Sequence, residues 1–365
     1  MKLKRKHLIL LSLGIVLTGS LLLLALRNEL SSGKTKNIIL FIGDGMGVTH
    51  VTAGITVNKV PLNLQRFPYS GFSMTQSADN YITDSAAGGT AIACGVKTNN
   101  GMIGLNPDGS VAASILEVLH ENGLATGLVS TSSITHATPA SFIAHNSSRG
   151  NYEDIALHFL NGSADVFIGG GENHFRTRAD GRDLAAELEE QGFDLVYTLE
   201  DMKSSASDKL GALLAEVHMP RESEGRTGIL EKMTKKAIEV LSRRKNGFFL
   251  MIEGSMIDWG AHANDLDYVT SELIDMDRAI GVALDFAEKD GQTLVVITAD
   301  HETGGLSLTG GNADEGEVSA HFGTTDHSGS MVPIFSYGPG AAALSGIHDN
   351  TFFFDTFLNL LKIRN

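Results

Sequence analysis

The chain reads as an α/β protein, a three-layer sandwich with a mostly parallel central sheet flanked by helices. Short apolar runs recur at residues 37–42, 126–130, 165–168, 247–252, 293–297 and 333–337. They are continuous rather than alternating, as strands covered on both faces are. Helical patterns separate them, at 110–122, 151–160, 182–191, 228–244, 266–289 and 351–363. Strands alternating with helices predict a parallel sheet with helices on both sides. A content of 41 Gly against 7 Pro suits many tight turns between such elements.

In chain order, the first segment is a targeting signal. Lys2, Lys4, Arg5 and Lys6 precede residues 8–26, which carry no charge. A run of that length is able to span a membrane, and it follows a basic flank as export signals do. Residues 1–33 therefore read as a signal peptide or membrane anchor with a short linker. The positive-inside rule puts the rest in the periplasm or outside the cell, with membrane contact only through this segment. Residues 34–365 show no repeat and no linker, and read as a single domain.

The first strand stops at Asp44, flanked by glycines; the strand at 247–252 runs into Glu253; that at 293–297 runs toward Asp300 and His301. In open α/β sheets, ligands bind beyond the C-terminal ends of the strands. Three carboxylates there point to a shared metal site. Asp258 and His262 lie four apart, so they share a face if that turn is helical. His327 stands among small residues just before the last strand. Asp44, Asp258, His262, Asp300, His301 and His327 supply two nitrogen/oxygen sites of the kind zinc takes. Asp44, Thr138 and Glu253 supply an all-oxygen set suited to magnesium. The single cysteine, Cys94, rules out an intrachain disulfide and thiolate zinc sites.

The stretch Thr83-Asp84-Ser85-Ala86-Ala87 looks like a helix start, with Asp84 or Ser85 at the cap. Backbone N–H groups there favour an anion. A serine so placed is a nucleophile only if something removes its proton.

The net charge is −15; beyond residue 33 the chain has 23 basic and 42 acidic residues. That balance excludes general nucleic-acid binding and suits a protein that collects divalent cations.

These motifs resemble those of the alkaline phosphatases. The resemblance rests on Asp44-Gly45-Met46-Gly47, Thr83-Asp84-Ser85-Ala86-Ala87, Ile134-Thr135-His136-Ala137-Thr138-Pro139, Glu253-Gly254-Ser255-Met256-Ile257-Asp258, Asp300-His301-Glu302-Thr303-Gly304-Gly305 and His327-Ser328-Gly329. It implies hydrolysis of small-molecule phosphate monoesters through a phosphoserine on Ser85. It implies two zinc ions, one on Asp258, His262 and His327 and the other on Asp44, Asp300 and His301. It implies one magnesium on Asp44, Thr138 and Glu253. Arg149 matches the arginine that clamps phosphate, and Asp84 an acid that helps hold it. Relatives differ at His136 and Trp259: His136 is a partner beside the site or a third-metal ligand, and Trp259 shapes the phosphate pocket. A homodimer stays open. So do two alternatives: a phosphodiesterase of the same superfamily, and a non-catalytic metal- or phosphate-binding protein.

Overall fold

The structure, a computed structural model, describes residues 34–363. The targeting segment expected at residues 1–33 lies outside the described residues. Fourteen strands are described: β1 Asn37–Gly43, β2 Tyr69–Met74, β3 Ala125–Ser133, β4 Val166–Gly170, β5 Asp194–Val196, β6 Leu210–Leu213, β7 Phe248–Gly254, β8 Thr293–Thr298, β9 Glu302–Thr303, β10 Leu306–Asn312, β11 Glu317–Phe322, β12 His327–Ser328, β13 Val332–Tyr337 and β14 Gly346–Asp349. Ten of them form one sheet, ordered β14-β2-β13-β8-β1-β7-β3-β4-β6-β5. Within it only β13 is antiparallel to its neighbours, β8 and β2.

Burial on both faces explains the apolar runs. Along β1, Ile38, Leu40 and Ile42 enter one core and Ile39 and Phe41 the other. The first core is closed by the helices Ser85–Cys94, Ile115–Glu121 and Phe352–Leu361. The second is closed by Val48–Val57, Ile229–Leu241, Met256–His262 and the 25-residue Leu266–Asp290. This is the three-layer α/β sandwich that the sequence pattern predicts.

Several elements differ from the sequence reading. The helix expected over 110–122 begins only at Ile115, because Ser114 caps it: its side chain accepts from Glu117 N, and Glu117 accepts from Ser114 N. Two strands, β2 and β14, join the sheet edge without a long apolar run: β2 buries alternate residues on one face, and no residue of β14 is fully buried. The polar stretch 310–329, outside the apolar runs, holds most of the β10–β11 hairpin and then β12. Because β13 runs backwards, its start rather than its end lies at the C-terminal edge of the parallel strands. That brings His327 beside His301, His262 and Asp258.

Candidate active site

The acids sit on adjacent strands at one height. Ile42 of β1 pairs with Glu253 of β7 on one side and Thr298 of β8 on the other. Asp44 therefore follows β1 between Glu253 and the Asp300 that follows β8. Asp44, Glu253 and Asp300 are fully buried, and Asp258 nearly so. Gly45 makes the turn after β1 at φ +72°, and a Cβ there would lie 2.7 Å from Thr303 Oγ1. No side chain fits so close to the acids.

Ser85 is the first residue of its helix. Asp84 caps that helix, its Oδ1 accepting from Ala87 N at 2.9 Å. The Ser85 Oγ lies 3.1 Å from His301 Nε2. Gly88, one turn on, allows the helix to press against Asp300, whose carbonyl oxygen would be 2.8 Å from an added Cβ. Arg149 Nη1 donates to Asp84 Oδ2 at 3.0 Å.

Three groups of side chains bring ligand atoms together: Asp258, His262 and His327; Asp44, Asp258 and His301; and Asp44, His136 and Glu253. These groups differ in part from the sets read from the sequence. Asp258 belongs to both of the first two. Asp300 is adjacent, its Oδ2 3.3 Å from His301 Nε2. His136 stands with Asp44 and Glu253 in the third group, and Thr138, read from the sequence as a ligand there, lies against Glu253. The Thr138 hydroxyl is buried and lacks a hydrogen-bond partner.

Two imidazoles are held in the tautomer that a cation needs. His262 Nδ1 lies 2.7 Å from Thr325 O, and His327 Nδ1 lies 2.8 Å from Thr83 O. A carbonyl only accepts, so each Nδ1 carries a hydrogen and each Nε2 is the atom left to face a cation. Those two Nε2 atoms face one another at 3.2 Å, with Asp258 Oδ1 3.3 Å from the first.

The remaining atoms also call for positive charge. Both oxygens of Asp44, Oε1 of Glu253 and Oδ2 of Asp300 are buried without a hydrogen-bond partner. Burial, then the charges of Asp300, Asp258 and Glu253, push the Asp44 carboxyl well above its ordinary value. Burial and the charges of Asp258 and Glu253 raise Asp300 to about 7. The Asp258 hydrogen bond raises His262 to about 9. Burial, with the Arg149 and His218 charges, pushes His136 down to about 3 and keeps it neutral. Buried carboxylates that repel each other, beside imidazole Nε2 atoms turned toward them, fit divalent cations.

Other residues complete the site without having been singled out in the sequence. Ser130 Oγ donates to Glu253 Oε2 at 2.6 Å, and Ser132 Oγ does so at 3.4 Å. The polar run Ser130–Ser133 closing an apolar strand was the available signal. His218, on the loop after β6, has no such signal. It meets Trp259 edge to face at 4.9 Å and His136 at 5.7 Å.

The family model for alkaline phosphatase matches residues 35–320. The chain belongs to the alkaline phosphatase family. Alkaline phosphatase 4 of Bacillus subtilis is 33% identical over 90% of this chain and 89% of its own length. The alkaline phosphatase of Escherichia coli K12 is 32% identical, over 93% and 89%. Among solved structures, the alkaline phosphatase of the Antarctic bacterium TAB5 aligns with a TM-score of 0.86 at 41% identity, covering 91% of this chain and 99% of that one. A variant of that enzyme with a histidine replaced by aspartate has magnesium bound in its M3 site. This alkaline phosphatase family member is thus a metal-dependent phosphoric monoester hydrolase.

Proposed function

We propose that the enzyme cleaves phosphate monoesters in two in-line displacements through a phosphoserine on Ser85. The observation that carries this is the Ser85 hydroxyl at a helix start, 3.1 Å from His301 Nε2 and beside three cation-ligand groups. In the first step the Ser85 oxygen attacks phosphorus as its proton passes to solvent, the phosphorus–oxygen bond to the alcohol breaks, and the alcohol leaves with a proton taken back from water. In the second, water attacks the phosphoserine, the bond to Ser85 breaks, and inorganic phosphate leaves as the serine hydroxyl is restored. Two inversions give overall retention at phosphorus.

Arg149 is suited to grip two phosphate oxygens, and Asp84 fixes its direction. Asp258, His262 and His327 would hold one zinc; Asp44, Asp300 and His301, with Asp258 alongside, the other. Asp44, Glu253 and Thr138, with His136 beside them, would hold magnesium, which the M3 site of the TAB5 variant supports as the third cation. Bound there, these cations neutralise phosphate charge and lower the pKa of the serine hydroxyl and of water. Trp259, with His218 behind it, walls the pocket next to His136.

The deciding experiment is turnover of an aryl phosphate by the wild type and Ser85→Ala, with rapid quenching to trap phosphoenzyme. Ser85→Ala should form none and lose turnover; undiminished turnover in that variant overturns the role. A preference for diesters over monoesters overturns the substrate class.

The basic start and uncharged residues 8–26 support export, to be tested by cell fractionation. Among the described residues no helix is long and apolar enough to cross a membrane. A sheet that takes strands from β1 to β14 supports reading residues 34–365 as one catalytic domain.

A further inference from the structure

We propose that Thr303 is a positioning residue that ties the two zinc-type groups into one unit. It does so by fixing the His301 tautomer and the Asp258 carboxylate with a single hydroxyl. The proposal rests on the reading of Asp258 and His301 as cation ligands.

Thr303 is fully buried. Its Oγ1 lies 2.5 Å from Asp258 Oδ1 and 3.2 Å from His301 Nδ1. The direction of both bonds follows from chemistry. A carboxylate that binds a cation has only lone pairs to offer, so the threonine hydroxyl donates to Asp258. That hydroxyl has one hydrogen, so toward His301 it accepts, and the Nδ1 of His301 must carry the proton. His301 Nε2 is then bare, facing Asp44 Oδ1 at 3.2 Å, Asp300 Oδ2 at 3.3 Å and Ser85 Oγ at 3.1 Å. The other two histidines reach the same state through backbone carbonyls; His301 alone among the three relies on a side chain.

The backbone of Thr303 adds two more ties. Its N–H donates to Gly45 O at 3.1 Å, next to Asp44. It pairs with His327 across the β9–β12 ladder. One residue thus touches, or lies beside, ligand-bearing stretches from four parts of the chain. Gly45 leaves the space that the hydroxyl fills. Asp258 belongs to both groups, so a change in its direction is felt by both.

The test is a titration of the metal-stripped full chain with Zn²⁺ alone, against a competing chelator, for the wild type, Thr303→Val and Thr303→Ser. Valine keeps the shape and removes the hydroxyl; serine keeps the hydroxyl. Thr303→Val should bind zinc about 10–100-fold more weakly, the usual cost of losing a hydrogen bond behind a metal ligand, and at both positions together. Thr303→Ser should bind as the wild type does. Equal affinity in wild type and valine variant, or equal loss in valine and serine variants, overturns the proposal. Nitrogen NMR of His301 in the zinc-loaded wild type needs no variant: a proton on Nδ1 supports the proposal, and one on Nε2 overturns it. A wild type that binds no zinc overturns both this proposal and the metal-assisted reading. Tight wild-type binding with an unaffected valine variant overturns this proposal alone.

Discussion

Asp84 uses one carboxylate for three bonds. Oδ1 caps the helix of Ser85, while Oδ2 accepts from Gly101 N at 3.1 Å and from Arg149 at 3.0 Å. Removing it loosens the helix start and releases the arginine together. Asp84→Ala should therefore lose about 1 kcal/mol of stability, the usual cost of a lost cap, and should raise KM for an aryl phosphate as well. Asp84→Asn keeps an oxygen for the cap and weakens the hold on Arg149, so its effect should fall mainly on kinetics. Thermal melting beside steady-state kinetics separates the two. Arg149→Ala should cost about 10²–10³-fold in kcat/KM, the scale for losing one charge-stabilising donor, with the melting temperature little changed.

Helix starts and strand ends carry this protein's chemistry, and one helix start shows how they are fixed. In the Ile115–Glu121 capping box, Glu117 also accepts from His145 Nε2 at 3.0 Å. Burial alone would raise the Glu117 carboxyl; the His145 and Ser114 bonds overcome it and leave it below its ordinary 4.5. Burial alone would lower His145; the Glu117 bond and charge overcome it and leave it above its ordinary 6.5. The lowered carboxyl adds stability above 4.5 and loses it as pH falls through its folded value. The raised imidazole adds stability below 6.5 and loses it as pH rises through its folded value. The pair therefore contributes fully between about pH 4.5 and 6.5. Urea unfolding of metal-stripped protein should show the largest gap between wild type and Glu117→Gln in that window, shrinking on either side; a gap independent of pH would refute the pairing. At the same scale, the helix expected over 110–122 differs only at its start, because capping, not apolar spacing, decides where a helix begins.

Across the whole molecule, a fully buried Arg226 joins the loop after β6 to the long helix Leu266–Asp290. It donates to Asp275 Oδ2 at 2.6 Å, to Glu272 and to Pro220 O. That loop carries His218, and the helix follows His262 directly. Arg226→Ala strands two buried carboxylates and should cost about 3–5 kcal/mol, read by denaturant unfolding. Cations would act at the same scale, because the groups able to hold them come together only in the folded arrangement of β1, β7, β8 and the β12 segment. At 100 times its Kd, each bound cation adds about 2.7 kcal/mol. Chelator should therefore lower the melting temperature sharply and abolish turnover, and zinc with magnesium should restore both.

The residues themselves determined the sandwich and most of the site. Runs such as Ile38–Ile42 are apolar throughout because both sheet faces are covered. Asp44, Glu253 and Asp300 stand out because a carboxylate at the end of such a run has no packing role. What only the tertiary structure decided depends on direction and on which strands are neighbours. β7 slips between β1 and β3, and β13 runs against the rest, so that residues from 44 to 327 meet at one edge. No local pattern encodes that choice, since it is set by which apolar faces bury each other. The same holds for Thr303 and His218. A threonine or histidine looks alike in any sequence, and acquires its role only through the groups that packing brings within reach.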